Sequence, residues 1–187
     1  MNNTSNEVTE QTIKKLIENR PVLITGADGF VGSHLTEKIV DYGGDVHVMV
    51  RATSSGMLHN IGHLQKKITI HRGDLSDKQA VMVTLRALKS QGGQPIIFHL
   101  GAQAHVGESW DRSYETLSAN TIGTINLLQS IVDLELDIYR IDTAGSSEEY
   151  GNILNTVYDH YRFDENGGLI LDETSPVNPQ SVYATSK

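Results

Sequence analysis

Hydrophobic positions along the chain follow two alternating patterns. Short runs of consecutive apolar residues are separated by longer stretches with helical spacing. Ile13, Leu16 and Ile17 share one helical face between Glu7 and Asn19, which predicts a short amphipathic leader helix. Pro21-Val22-Leu23-Ile24-Thr25 predicts a buried strand that ends at a glycine. Phe30 to Tyr42 has helical spacing and stops at Gly43-Gly44. Val46 to Val50 predicts a second strand and Ile68 to His71 a third. Ser76 is expected to cap a helix running to about Lys89. Pro95 to Leu100 predicts a fourth strand, Ser113 to Val132 a long helix, and Ile138 to Ile141 the start of a fifth strand. Strands alternating with helices predict an α/β fold whose parallel sheet is covered on both faces. Asn152 to Leu171 is polar and aromatic, with a turn at Asn166-Gly167-Gly168, and reads as an excursion from the sheet. Tyr183 to Lys187 reads as the first turn of a further helix. The expected organisation is a leader helix over 1–20 and one nucleotide-binding domain over 21–187.

Composition narrows the classes. The 187 residues are 38% hydrophobic, enough for one domain with a core. No run approaches the roughly 18 apolar residues of a membrane span. The polar start of the chain has no secretory pattern. Cysteine is absent, which excludes thiolate chemistry and fits a cytoplasmic setting. The net charge of -8 argues against a nucleic-acid partner. Eight histidines show no metal-ligand spacing, so no metal is expected.

Thr25-Gly26-Ala27-Asp28-Gly29-Phe30-Val31-Gly32 lies between the first strand and the first core helix. Gly26 permits a tight turn, Gly29 lets a pyrophosphate approach the backbone, and Gly32 lets helix and strand pack closely. The helix N-terminus offers amides to the phosphates. The alternative is an ordinary glycine turn. Arg51 stands where many NAD sites carry an acidic residue, with Thr53, Ser54 and Ser55 following. A guanidinium suits a 2′-phosphate better than a ribose diol, which favours NADP over NAD. The alternative is a solvated loop arginine. Asp74 can meet the adenine amino group or cap its own turn.

The glycine spacing resembles that of the extended short-chain dehydrogenase/reductases, the NAD-dependent epimerase/dehydratase family. Three later segments carry the same resemblance in the same order: Leu100 to Val106, Gly145 to Gly151, and Ser175 to Lys187 with its Tyr-x-x-x-Lys pair. Within the family the chain is most similar to the GDP-mannose 4,6-dehydratases and their relatives. It departs in a longer stretch between Gly151 and Glu173. The resemblance implies a Rossmann-like doubly wound sheet followed by a C-terminal substrate lobe that these residues do not include, so the chain is expected to be a fragment without turnover of its own. It implies dinucleotide contacts at Gly26, Asp28, Gly29, Phe30, Val31, Gly32, Arg51, Asp74, Leu75, Leu100, Ala102, Tyr183 and Lys187. Gln103, His105, Ser146 and Ser147 would meet a nucleotide-sugar substrate. Homo-oligomers are common in the family.

Ser146, Glu148, Tyr183 and Lys187 are the candidate catalytic residues. Tyr183 and Lys187 fall one helical turn apart, on one face. A phenol is a weak base at neutral pH until a nearby ammonium favours its phenolate. With Ser146 donating to the same sugar oxygen, the pair would take the C4 proton while C4 passes a hydride to the nicotinamide. A C4 ketone acidifies the C5 proton, and Glu148 matches the base that removes it in dehydratases. Water then leaves C6 and the hydride returns there. The bland alternatives are an aromatic helix anchor for Tyr183, a solvated acidic pair for Glu148 and Glu149, and a structural role for His105. Asn120 matches a supporting asparagine of the family. Two other activities stay open: a nucleotide-sugar 4-epimerase or 4-keto reductase, and a non-catalytic dinucleotide-binding protein.

Overall fold

The computed structural model describes residues 3–51, 56–152 and 161–187, with side chains from Glu10 onward. The chain forms two compact units. One holds Met1–Ala102 and Ile122–Ala144; the other holds Gln103–Thr121 and Gly145–Lys187.

The first unit contains α1 (Asn3–Ile17), β1 (Pro21–Thr25), α2 (Phe30–Asp41), β2 (Asp45–Val50), β3 (Thr69–Arg72), α3 (Lys78–Gln91), β4 (Ile96–His99), α6 (Gly123–Asp133) and β5 (Arg140–Thr143). Its five strands are all parallel, in the order β3-β2-β1-β4-β5. Successive side chains on a strand point to opposite faces. Val22 and Ile24 of β1, Val46, Val48 and Val50 of β2 and Ile96 of β4 therefore share one core with Ile39 of α2 and Ile17 of α1. Leu23, Met49 and Ile97 face the other way, into a core with Val81, Leu85 and Leu88 of α3 and Leu127 and Ile131 of α6. Both sheet faces are covered, which is why these strands read as continuous apolar runs.

Two local expectations are corrected. Ser76 does not cap α3. Asp77 is its N-cap and accepts from the amides of Gln79 and Ala80, while Ser76 donates to Asp74 instead. The helix expected over Ser113 to Val132 is not uniform. α5 (Ser113–Leu117) and α6 are separated by a π-helical segment, Ser118–Ile122. Such widened turns insert one extra residue and re-aim side chains.

The second unit contains α4 (Glu108–Asp111), α5, a one-turn 3₁₀ helix (Ser147–Glu149), β6 (Arg162–Phe163), β7 (Leu169–Ile170) and α7 (Val182–Ser186). β6 and β7 form a small antiparallel hairpin, an element not foreseen from the sequence, around the turn expected at Asn166-Gly167-Gly168. Asp164 organises that turn by accepting from the amides of Asn166 and Gly168.

Candidate active site

In the first unit the strand order reverses between β1 and β4, and ligands of open α/β sheets bind beyond the strand ends at such a point. The glycine turn leaves β1 here. Gly26 has φ +70, and a Cβ on it would stand 2.7–2.8 Å from backbone atoms of Leu100 and Gly101. A Cβ on Gly32 would overlap the Gly26 carbonyl oxygen and the Ala27 Cα. These two glycines are required by close packing. Gly29 differs: its φ is −78, and among the described residues a Cβ there would meet only the Gly26 oxygen, at 3.2 Å. Gly29 is also the N-cap of α2 and offers no side-chain cap to the first amides of the helix. Uncapped amides under an open glycine fit the phosphates of a dinucleotide. Phe30 and Val31 of that turn are exposed.

The carboxylate of Asp28 has an unforeseen task. It accepts from the amides of His59, Asn60 and Ile61, at 3.0, 2.8 and 3.2 Å, and so clamps a turn more than thirty residues away. Arg51 is exposed at the end of β2. The hydroxyls of Thr53, Ser54 and Ser55 lie outside the described residues. Asp74 accepts at Oδ1 from both the hydroxyl and the amide of Ser76. Burial acts to raise its pKa, but the two Ser76 bonds and the Arg51 charge outweigh that and hold it below the ordinary aspartate value. Asp74 thus braces its own turn, and Arg51 lies close enough to act on it. Leu75 packs toward the backbone of Gly101 and Gly123. Leu100 borders the first core, and Ala102 is exposed.

In the second unit, Tyr183 and Lys187 lie at α7. Ser181 caps that helix by accepting from the Ala184 amide at 2.9 Å. The buried hydroxyl of Ser109 accepts from the Tyr183 amide at 3.1 Å, fixing the start of the helix. Asn120, buried in the π segment, accepts from the Gln103 amide at 2.7 Å and donates to Ser186 Oγ at 2.8 Å. It ties the Gln103 loop to α7. The Gln103 side chain is engaged within its own loop, accepting from the His105 amide and donating to Glu108. His105 is exposed.

Ser146 caps the one-turn helix in a reciprocal capping box. Its Oγ accepts from the Glu148 amide at 3.2 Å, and its own amide donates to Glu149 Oε1 at 2.7 Å. Because Ser146 Oγ accepts here, its proton remains available to donate. Ser147 and Glu148 are exposed. Among the described residues the Glu148 carboxylate makes no hydrogen bond or ion pair. The two adjacent carboxylates are therefore unlike: that of Glu149 accepts a backbone amide, and that of Glu148 has no such partner among the described residues. Lys187 is half-buried, and that burial pushes its pKa below the ordinary lysine value, opposed by the charge of Glu149. The role of Glu149 was missed, although Ser146-x-x-Glu149 is a readable capping signature. Among the described residues no three histidine, aspartate or glutamate side chains gather as a metal-holding group, and no helix is long and apolar enough to cross a membrane.

A parallel sheet of this order, with a glycine turn and an uncapped helix where the order reverses, defines a nucleotide-binding α/β domain. The sequence pattern of the GDP-mannose 4,6 dehydratase family matches residues 23–187, and the chain belongs to that family. It is 31% identical over 174 residues to the GDP-mannose 4,6 dehydratase of Cricetulus griseus, an alignment covering 88% of this chain and 42% of that protein. The UDP-glucose 4-epimerase of Thermus thermophilus in complex with NAD aligns with a TM-score of 0.66 and 26% identity, covering 89% of this chain and 47% of that one. The UDP-Glc/GlcNAc 4-epimerase of Campylobacter jejuni reaches a TM-score of 0.70 at 24% identity, covering 90% of this chain and 46% of its own, a likeness of fold. The chain spans less than half the length of these relatives.

Proposed function

We propose that the protein carrying this chain is an NADP-dependent nucleotide-sugar 4,6-dehydratase, a lyase of the GDP-mannose 4,6-dehydratase kind, acting in the cytoplasm as a homo-oligomer. The observation that carries the reading is the Ser146 capping box. Glu149 holds the turn through it, Ser146 keeps its proton to donate, and among the described residues the Glu148 carboxylate has no partner.

Bound dinucleotide would supply the hydride acceptor for C4 and the donor for C6. The α2 amides and Gly29 hold its phosphates, and Arg51 pairs with a 2′-phosphate. Tyr183 removes the C4 hydroxyl proton, Ser146 donates to the same oxygen, and Lys187 brings its ammonium one helical turn away. Glu148 then takes the C5 proton and passes it to the C6 hydroxyl, which leaves as water; the proton that Tyr183 took from the C4 hydroxyl would return to C5 as the hydride is returned to C6. Gln103, His105 and Ser147 border the sugar in this reading. The exposed apolar stripe Ile122, Ile125, Leu128 and Val132 supports self-association.

The likeness to a solved UDP-glucose 4-epimerase supports a second reading, a nucleotide-sugar 4-epimerase or 4-keto reductase. Product analysis separates the two. The full-length protein is incubated with GDP-mannose and NADP⁺, and the product is read by NMR. A 4-keto-6-deoxy sugar is expected. A C4 epimer, or no product alongside turnover of UDP-glucose, overturns the dehydratase reading.

A further inference from the structure

Glu149 has no part in the chemistry assigned above, yet its side chain closes the turn that carries Ser146. Its Oε1 accepts the Ser146 amide at 2.7 Å. Its own amide donates to the Ser146 carbonyl at 3.2 Å, and its carbonyl accepts from Asn178 at 3.0 Å. The carboxylate lies over Gly145, where an added Cβ would come within 3.0 Å of Oε1. The turn that it closes packs against α7, the helix of Tyr183. One side chain therefore sets the backbone of the residue whose hydroxyl is assigned to the reacting oxygen.

We propose that Glu149 is a positioning residue, holding the Ser146 hydroxyl in its donating orientation through the carboxylate–amide bond of the capping box. This rests on the catalytic reading of Ser146. Without the bond, the Ser146 backbone loses one of its anchors and its hydroxyl samples other directions. Misplacement of a reacting group by a fraction of an ångström lowers turnover more than binding. The same carboxylate places a negative charge that opposes the effect of burial on Lys187. Glutamine retains an oxygen acceptor for the Ser146 amide and removes the charge; alanine removes both.

The test uses the full-length protein with GDP-mannose and NADP⁺ and the variants Glu149→Ala, Glu149→Gln and Ser146→Ala, with thermal melting of each. Glu149→Ala is expected to lower kcat roughly tenfold with KM for NADP⁺ within about twofold, and Glu149→Gln to stay within roughly threefold of wild-type kcat. Ser146→Ala losing turnover while Glu149→Ala keeps wild-type kcat overturns the positioning role and leaves the catalytic reading standing. Ser146→Ala at wild-type kcat overturns the catalytic reading, and this inference with it. If Glu149→Ala does not fold, Glu149→Gln decides: folded and near wild-type rate supports the role, folded but as slow as Ser146→Ala overturns it.

Discussion

Gly26 and Gly29 are three residues apart in one turn, yet substitution by alanine should damage different properties. Gly26→Ala forces a side chain onto a backbone at φ +70, a left-handed conformation costing about 1–2 kcal/mol. Its Cβ would also stand 2.7–2.8 Å from the backbone of Leu100 and Gly101, which cannot swing aside as a side chain would. Overpacking of that kind costs about 1–3 kcal/mol. The sum, about 2–5 kcal/mol, is a large part of the roughly 5–15 kcal/mol that stabilises a typical domain. At about 2–4 °C per kcal/mol, melting should fall by about 4–20 °C. Gly29→Ala meets an ordinary extended backbone and one contact at 3.2 Å, with the Gly26 oxygen. Loss of a glycine N-cap and that contact should change stability by no more than about 1 kcal/mol. The new methyl would, however, stand over the first amides of α2, where the phosphates are proposed to lie. Dinucleotide affinity should fall at least tenfold, or about 1.4 kcal/mol. Calorimetric titration with NADP⁺ and NAD⁺, beside thermal melting, reads both quantities. Wild-type affinity in Gly29→Ala would refute the phosphate assignment, and wild-type melting in Gly26→Ala would refute the packing argument.

Arg51→Ala should weaken NADP⁺ binding roughly tenfold and leave NAD⁺ nearly unchanged, because only the 2′-phosphate needs the guanidinium; equal losses for both cofactors would remove the basis for an NADP preference. Glu148→Gln should spare oxidation at C4 and block loss of water, so single-turnover mixing should accumulate reduced cofactor, whereas normal product formation would show that Glu148 is not the base. The fold should also lose stability in acid. His71 is bonded to the fully buried His47 at 2.9 Å, and His47 bonds Gln91 at 3.2 Å. Burial first, and His47 second, hold the His71 pKa below 6.5. The unfolded chain then takes up its proton before the folded one, so this contribution is complete above pH 6.5 and declines as the pH falls below it. Urea denaturation from about pH 7.5 to about pH 5 should show that slope, and His71→Gln should flatten it; an unchanged slope in the variant would assign it to another group.

Much of this protein was legible in its sequence because the deciding physics is local. A strand buried on both faces reads as an apolar run, and a helix stop reads as a glycine pair, since each reflects the conformation of a few neighbouring residues. The glycine turn was legible for the same reason. Gly26 adopts a positive φ, and Gly32 lies against the backbone of Gly26 and Ala27 within the same turn. Tertiary structure decided what depends on partners distant in sequence. No periodicity says that β1 lies between β2 and β4, yet that placement creates the reversal point that the glycine turn borders. Asp28 reads as one more residue of the turn until the amides of residues 59 to 61 are folded onto its carboxylate. Asn120 reads as a polar residue in a helix until the widened turn aims it at Gln103 and Ser186. Glu148 and Glu149 are chemically identical in sequence. The Ser146-x-x-Glu149 spacing hints at a cap, but only the fold shows the Glu149 carboxylate accepting the Ser146 amide while, among the described residues, the Glu148 carboxylate has no hydrogen bond or ion pair.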